Sequence, residues 1–183
     1  MKKKQEMHYK ESRSASMPKI DELKAKILKA QTDADIASLY VLEADAHELF
    51  DEETLHGFYA NILDMALENL TNALESMRKM DINEVQDFAT LRALYEYAIE
   101  HYSAGDLTDA SALFEVLSGL TKDKKFSDAL QLHTLASQEN ISLDDFIDTI
   151  ADVEATQKAG TFYISKFANK AQNLLDKSQS KGK

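Results

Sequence analysis

No cysteine occurs among the 183 residues, which removes disulfides, thiolate metal sites and cysteine nucleophiles and fits a reducing, cytoplasmic setting. Proline occurs once and glycine five times, so little in the chain interrupts a helix. No apolar run approaches the roughly 18–20 residues needed to span a bilayer. The richest stretch, 62–74, carries Asp64, Glu68 and Asn72, and stable membrane insertion is not expected. Basic residues are the minority, 21 against 32 acidic, for a net charge of −11. Such a surface repels phosphate backbones and makes nucleic acid a poor partner. Motifs of common chemistry are missing as well, with no Gly-rich phosphate loop, His-Glu-x-x-His or Gly-x-Ser-x-Gly. The basic start, Met1 to Lys4, leads into polar residues 5–16 rather than the apolar stretch of an export signal.

What remains is rich in Ala, Leu, Lys, Glu, Asp and Gln, the composition of an all-α protein. Residues 1–17 and 177–183 show no apolar period and read as tails, leaving one helical domain over 18–176. Within it, Pro18 opens a first helix carrying Ile20, Leu23, Ile27 and Leu28 and ending near Ala30. Thr32 and Asp35 form a capping box for a second, with Ile36, Leu39, Ala46 and Phe50 on its apolar face. Residues 51–80 read as one long amphipathic helix with Leu55, Phe58, Ile62, Met65, Ala66, Ala73 and Met77 on its stripe. That stripe is buried either on its own domain or on a second copy, so a homodimer through 18–80 is one expectation. Met65, Met77 and Met80 are either core filling or an adaptable groove.

A stripe of Val85, Phe88, Leu91, Tyr95, Ala98, Ile99 and Tyr102 follows, stopped by Gly105, and a second arm from Leu107 to Leu117 is stopped by Gly119. Small residues at Ala98 and Ala110 allow the two arms to approach closely. A further helix is expected over Phe126–Gln138. Ser142 with Asp145 marks the clearest helix start, with Ile141 and Phe146 as a hydrophobic staple. That helix runs to about Lys158, Gly160 breaks it, and Phe162, Ile164, Phe167, Leu174 and Leu175 belong to a last helix.

The segment Leu94–Leu117, with Tyr95, Ala98, Tyr102, Gly105, Ala110 and Phe114 in place, resembles one tetratricopeptide repeat. More narrowly, LYEYAIEHYSAGDLTDASALFEVLSGL, KDKKFSDALQLHTLA and KAQNLLDKSQ resemble the small tetratricopeptide (class II, SycD/LcrH-type) chaperones of type III secretion, in a divergent and shortened form. The resemblance implies helical hairpins over 83–138, flanked by a long N-terminal helix and by C-terminal helices over 142–176. It implies a cytoplasmic, non-enzymatic chaperone without cofactor that holds a secreted or translocator protein client in a groove. By the family's pattern the inner positions fall on Arg92, Tyr95, Ile99 and Tyr102, the candidate partner contacts. Tyr and Arg suit binding because they give contact area at low entropic cost; Tyr95, Ile99 and Tyr102 serve as well as core residues.

Two other readings stand beside this one. A generic tetratricopeptide-like adaptor or structural subunit uses the same surface. A helical-bundle metal enzyme rests on Glu53-x-x-His56 and on Glu43, His47 and Asp51, one turn apart. Such a centre needs two Glu-x-x-His helices and two further carboxylates, and only one is present, so no metal is expected. His101 and His133 lack companions at helical spacing and read as satisfied histidines; His8 falls in the N-terminal tail.

Overall fold

The computed structural model describes residues 19–181; the tail expected over 1–17, with His8, and Pro18 lie outside them. Among the described residues the fold is all-α: ten helices and no strand. In order they are α1 (19–32), α2 (Ile36–Val41), α3 (Glu43–Leu49), α4 (Glu52–Glu75), α5 (Val85–Ala104), α6 (Leu107–Leu120), α7 (Lys124–Gln138), α8 (Leu143–Thr149), α9 (Val153–Ala159) and α10 (Lys170–Lys181). The chain divides into two compact units inside α4, the first ending at Met65 and the second starting at Ala66. The subdivision read from the sequence falls later, at residue 80.

In the first unit α1 buries Leu23, Ile27 and Ala30, one side of a helix, and the other buried apolar residues of the unit are Ile36, Leu39, Ala46, Phe58 and Ile62. The expected capping box is resolved differently. Thr32 is in the last turn of α1, where its hydroxyl donates to the Leu28 carbonyl, and Asp35 itself is the N-cap of α2, accepting from the Ser38 amide at 2.9 Å. Residues 36–50 form two short helices rather than one, with the junction at Leu42. Asp51 caps α4 by accepting the Thr54 amide at 2.8 Å.

Helix α4 stops at Glu75, short of Met80, because Met77 takes a left-handed conformation (φ 52°) and the Arg78 amide closes on the Ala73 carbonyl at 2.8 Å. That is the bond pattern of a left-handed helix stop, made here without glycine. The methionines consequently part company: Met77 is 93% exposed and Met80 is fully buried, so no continuous methionine groove forms.

In the second unit α5 is buried on nearly every side, by Ala89, Thr90, Leu91, Ala93, Leu94, Tyr95, Ala98 and Tyr102. Asn69 of α4 donates to the buried Thr90 hydroxyl at 3.0 Å. Gly105 turns the corner into α6 at φ 83°, and Ala98 and Ala110 are both fully buried, as close helix approach requires. Helices α6 and α7 are joined by a reciprocal serine pair: the Ser118 and Ser127 hydroxyls lie 2.8 Å apart and each also reaches the other's carbonyl. Gly119 is inside α6 and stops nothing; the helix ends at Thr121, which forms a lone parallel bridge with Met80.

The C-terminal third departs most from expectation. Ser142 caps α8 as read, accepting the Asp145 amide at 3.1 Å, but the helix ends at Thr149. A second start follows at Asp152, whose carboxylate accepts the Ala155 amide at 2.9 Å. Gly160 closes α9 in the left-handed region. Residues 161–168 are then not helical but an irregular strap, bent at Phe162 and Tyr163 and closed by the Thr161 hydroxyl 2.8 Å from the Ser165 hydroxyl, and the last helix begins only at Lys170. That helix, α10, packs on α7 through a face carrying Ala171 and Leu174, and continues to Lys181 through residues read as tail.

Two glycines separate conformational need from helical permissiveness. A Cβ at either Gly57 or Gly105 meets nothing within 4 Å, so sterics are neutral at both. Gly57→Ala, in the interior of α4, is expected to raise stability by about 0.5–1 kcal/mol. Gly105→Ala, forced to positive φ, should lower it by about 1 kcal/mol. Urea denaturation midpoints of the two variants check the opposite signs.

Candidate functional site

Tyr95, Phe114, Phe126 and His133, from α5, α6 and α7, converge on one side of the helical hairpin. Their ring centroids lie 6.2 Å (Tyr95–Phe114), 6.4 Å (Tyr95–Phe126), 5.6 Å (Tyr95–His133) and 4.9 Å (Phe114–His133) apart. The positions follow from the helical repeat: the aromatic side of each helix faces the same interior, and edge-on ring packing fixes the spacing. Phe146 of α8 extends the cluster at 4.8 Å from His133.

Across this inner face lies the strap. Phe162 packs edge-on against Phe126 at 5.3 Å and Tyr163 against the same ring at 4.6 Å, while Phe167 reaches His133 at 6.2 Å and Phe146 at 6.3 Å. The Ile164 amide, which has no helical partner, donates to the Tyr95 hydroxyl at 3.0 Å. The strap's far end is held by an antiparallel bridge, Asp152 N–H to the Lys166 carbonyl and Ala168 N–H to the Ile150 carbonyl, each 2.8 Å. Buried Thr156 accepts the Ser165 and Lys166 amides on its hydroxyl.

The Ile164 bond is the first link of a chain. His133 Nδ1 lies 2.7 Å from the Ala129 carbonyl, an acceptor only, so Nδ1 carries the proton and Nε2 accepts. The Tyr95 hydroxyl, 3.0 Å from Nε2, therefore donates to His133 while accepting from Ile164. Burial holds His133 down to about 4 and pushes the Tyr95 phenol up; the neutral forms of both are the ones the network needs.

Of the four residues read from the sequence as partner contacts, two are not at the surface. Tyr95 is 4% exposed and Tyr102 1%. Tyr95 is covered by the strap, and Tyr102 by Phe114 and Phe146, with its hydroxyl donating to the Ile141 carbonyl at 2.9 Å. Arg92 and Ile99 are half-buried, the former with its Nε 2.8 Å from Glu96. Sequence reasoning missed Phe126, His133 and the strap aromatics as members of the same site. The available signal was Thr161-Phe162-Tyr163-Ile164, four β-branched or aromatic residues directly after a helix-ending glycine, a poor sequence for continuing a helix.

Elsewhere, Tyr59 joins α3 and α4 by donating to Glu43 at 2.7 Å with His47 Nε2 at the same distance. Open clefts of about 280 and 240 Å³ on the first unit are rimmed by charges that pair with each other, among them Lys26 with Glu22 and Lys29 with Asp33. Among the described residues no group of three or more His, Asp or Glu is placed to hold a metal ion, and no helix is long and apolar enough to cross a membrane. Set against protein-family models, curated proteins and solved structures, the chain matches none of them.

Proposed function

We propose that this protein binds polypeptide, holding a non-helical segment of a client against the inner face of the α5–α7 hairpin. One observation carries the reading: that face already receives a non-helical segment, residues 161–168, through ring packing and a hydroxyl-to-amide bond. An apolar, aromatic face with one polar handle is the general chemistry of a peptide groove. The resemblance of residues 94–120, 122–136 and 170–179 to the class II chaperones of type III secretion narrows this to a cytoplasmic chaperone that keeps a secreted or translocator protein soluble for export. Its net charge of −11 would hold the complex in solution while the client's apolar surface is covered. Arg92 and Ile99, half-buried on α5, contact the client directly, and Tyr95 and Tyr102 support the face from beneath.

A photo-crosslinking residue at position 92 or 99, in cells of the native host, is expected to capture a secreted protein. The same group at Lys29 on the first unit should not. Crosslinks confined to position 29 would contradict the site. Capture of an assembly subunit instead of a secreted protein would favour the adaptor reading.

A further inference from the structure

We infer that the strap is a resident stand-in for the client, and that a client must displace it to bind. The inference rests on the polypeptide-binding reading and names the partner's chemistry. The strap offers two adjacent aromatic side chains, Phe162 and Tyr163, an aliphatic residue with a free-to-donate amide, Ile164, and a third ring at Phe167. Each meets a distinct feature of the face: Phe126 for the first two, the Tyr95 hydroxyl for the amide, and the His133 and Phe146 rings for the last. A displacing segment is therefore non-helical and presents an aromatic-aromatic-aliphatic run followed by a ring three residues on.

The strap is built to leave without unravelling the helices. It contains no helical hydrogen bond, follows the left-handed Gly160, and touches the hairpin through side chains and one amide; the backbone bonds a competitor must also break are the two to Ile150 and Asp152 and the two to the Thr156 hydroxyl. Phe162, Ile164 and Ser165 are only half-buried, and Lys166 is exposed. Phe162 also leans on Phe88, itself 41% exposed, with centroids 5.0 Å apart. A competitor can thus engage one edge of the strap before the rest lifts. Because the strap is tethered, it competes at an effective concentration on the order of millimolar. Only a segment that exceeds it in contacts, or a protein in which the strap is weakened, shows tight binding.

The test uses the full chain and a fluorescent peptide of residues 160–168, Gly-Thr-Phe-Tyr-Ile-Ser-Lys-Phe-Ala. Two variants loosen the strap. Ile164→Pro deletes the donor to Tyr95 in a segment outside every helix, and Tyr163→Ser vacates the space beside Phe126. Circular dichroism identifies the variant that retains native helicity, and Ile164→Pro leaves every helix untouched. The peptide is expected to bind the folded variant at least about tenfold more tightly than the wild type, and a peptide with serine at the three ring positions should not bind. Equal affinity for wild type and variant would overturn the displacement while leaving the face a binding site. No binding to either folded variant, with crosslinks at position 99 still forming, would overturn the stand-in role but not the client reading.

Discussion

Tyr95→Ala is expected to destabilise the protein by about 3–5 kcal/mol, enough to threaten folding of a domain with ordinary stability. The ring is 4% exposed and packs on Phe114, Phe126, His133, Phe162 and Tyr163, so truncation opens a cavity that the surrounding rings cannot close. Tyr95→Phe isolates the hydroxyl. It keeps the packing but leaves the Ile164 amide and His133 Nε2 without their partner, at a cost of about 1–3 kcal/mol. Urea denaturation of both variants checks the order, with alanine far below phenylalanine. Near-equal losses would mean that the hydroxyl, not the ring, dominates. Tyr95 and Tyr102 are for the same reason poor probes of client binding, since changing them acts on the fold before it acts on a partner.

The second large effect is on pH. His133 is fully buried, and desolvation holds its folded pKa down to about 4 from 6.5, the hydrogen bond to Ala129 opposing in part. Between those two values the unfolded chain binds the proton and the folded chain does not. Stability from this residue is therefore complete above pH 6.5 and declines as pH falls toward 4, by on the order of 3 kcal/mol in all. The structural meaning is direct: protonated Nε2 no longer accepts from Tyr95, and a charge enters a cluster of rings. His133→Gln removes the titration, so the wild type should lose most of that stability relative to the variant between pH 7.5 and pH 4.5. A constant difference across that range would contradict the buried neutral imidazole.

Much of the helical order is readable from local chemistry. Gly105 ends α5 because a left-handed residue is needed there, and Ser142 starts α8 because its hydroxyl meets the Asp145 amide. Where local signals are degenerate, reading fails. Gly119 looks like Gly105 but keeps a helical backbone, whereas Met77 adopts a left-handed stop that composition does not announce. Phe162, Ile164 and Phe167 are apolar residues that a helix accepts as readily as a chain laid across rings, and the choice is made by Phe126, His133 and Tyr95, distant in sequence. The same non-local packing settles the site. Tyr95 on α5 reads equally as an open contact or as core until the strap is seen to cover it, and the polar tail at 177–181 is helical in continuation of a helix that α7 gives a surface to dock on.

Amide exchange at Ile164 tests most directly that the hairpin holds the strap through Tyr95. In the wild type this amide, outside any helix, should exchange far more slowly than an open loop. In Tyr95→Phe it should exchange at least about tenfold faster while the amides of α5, α6 and α7 stay protected. An Ile164 amide that exchanges freely in the wild type would show that the inner face does not grip the strap.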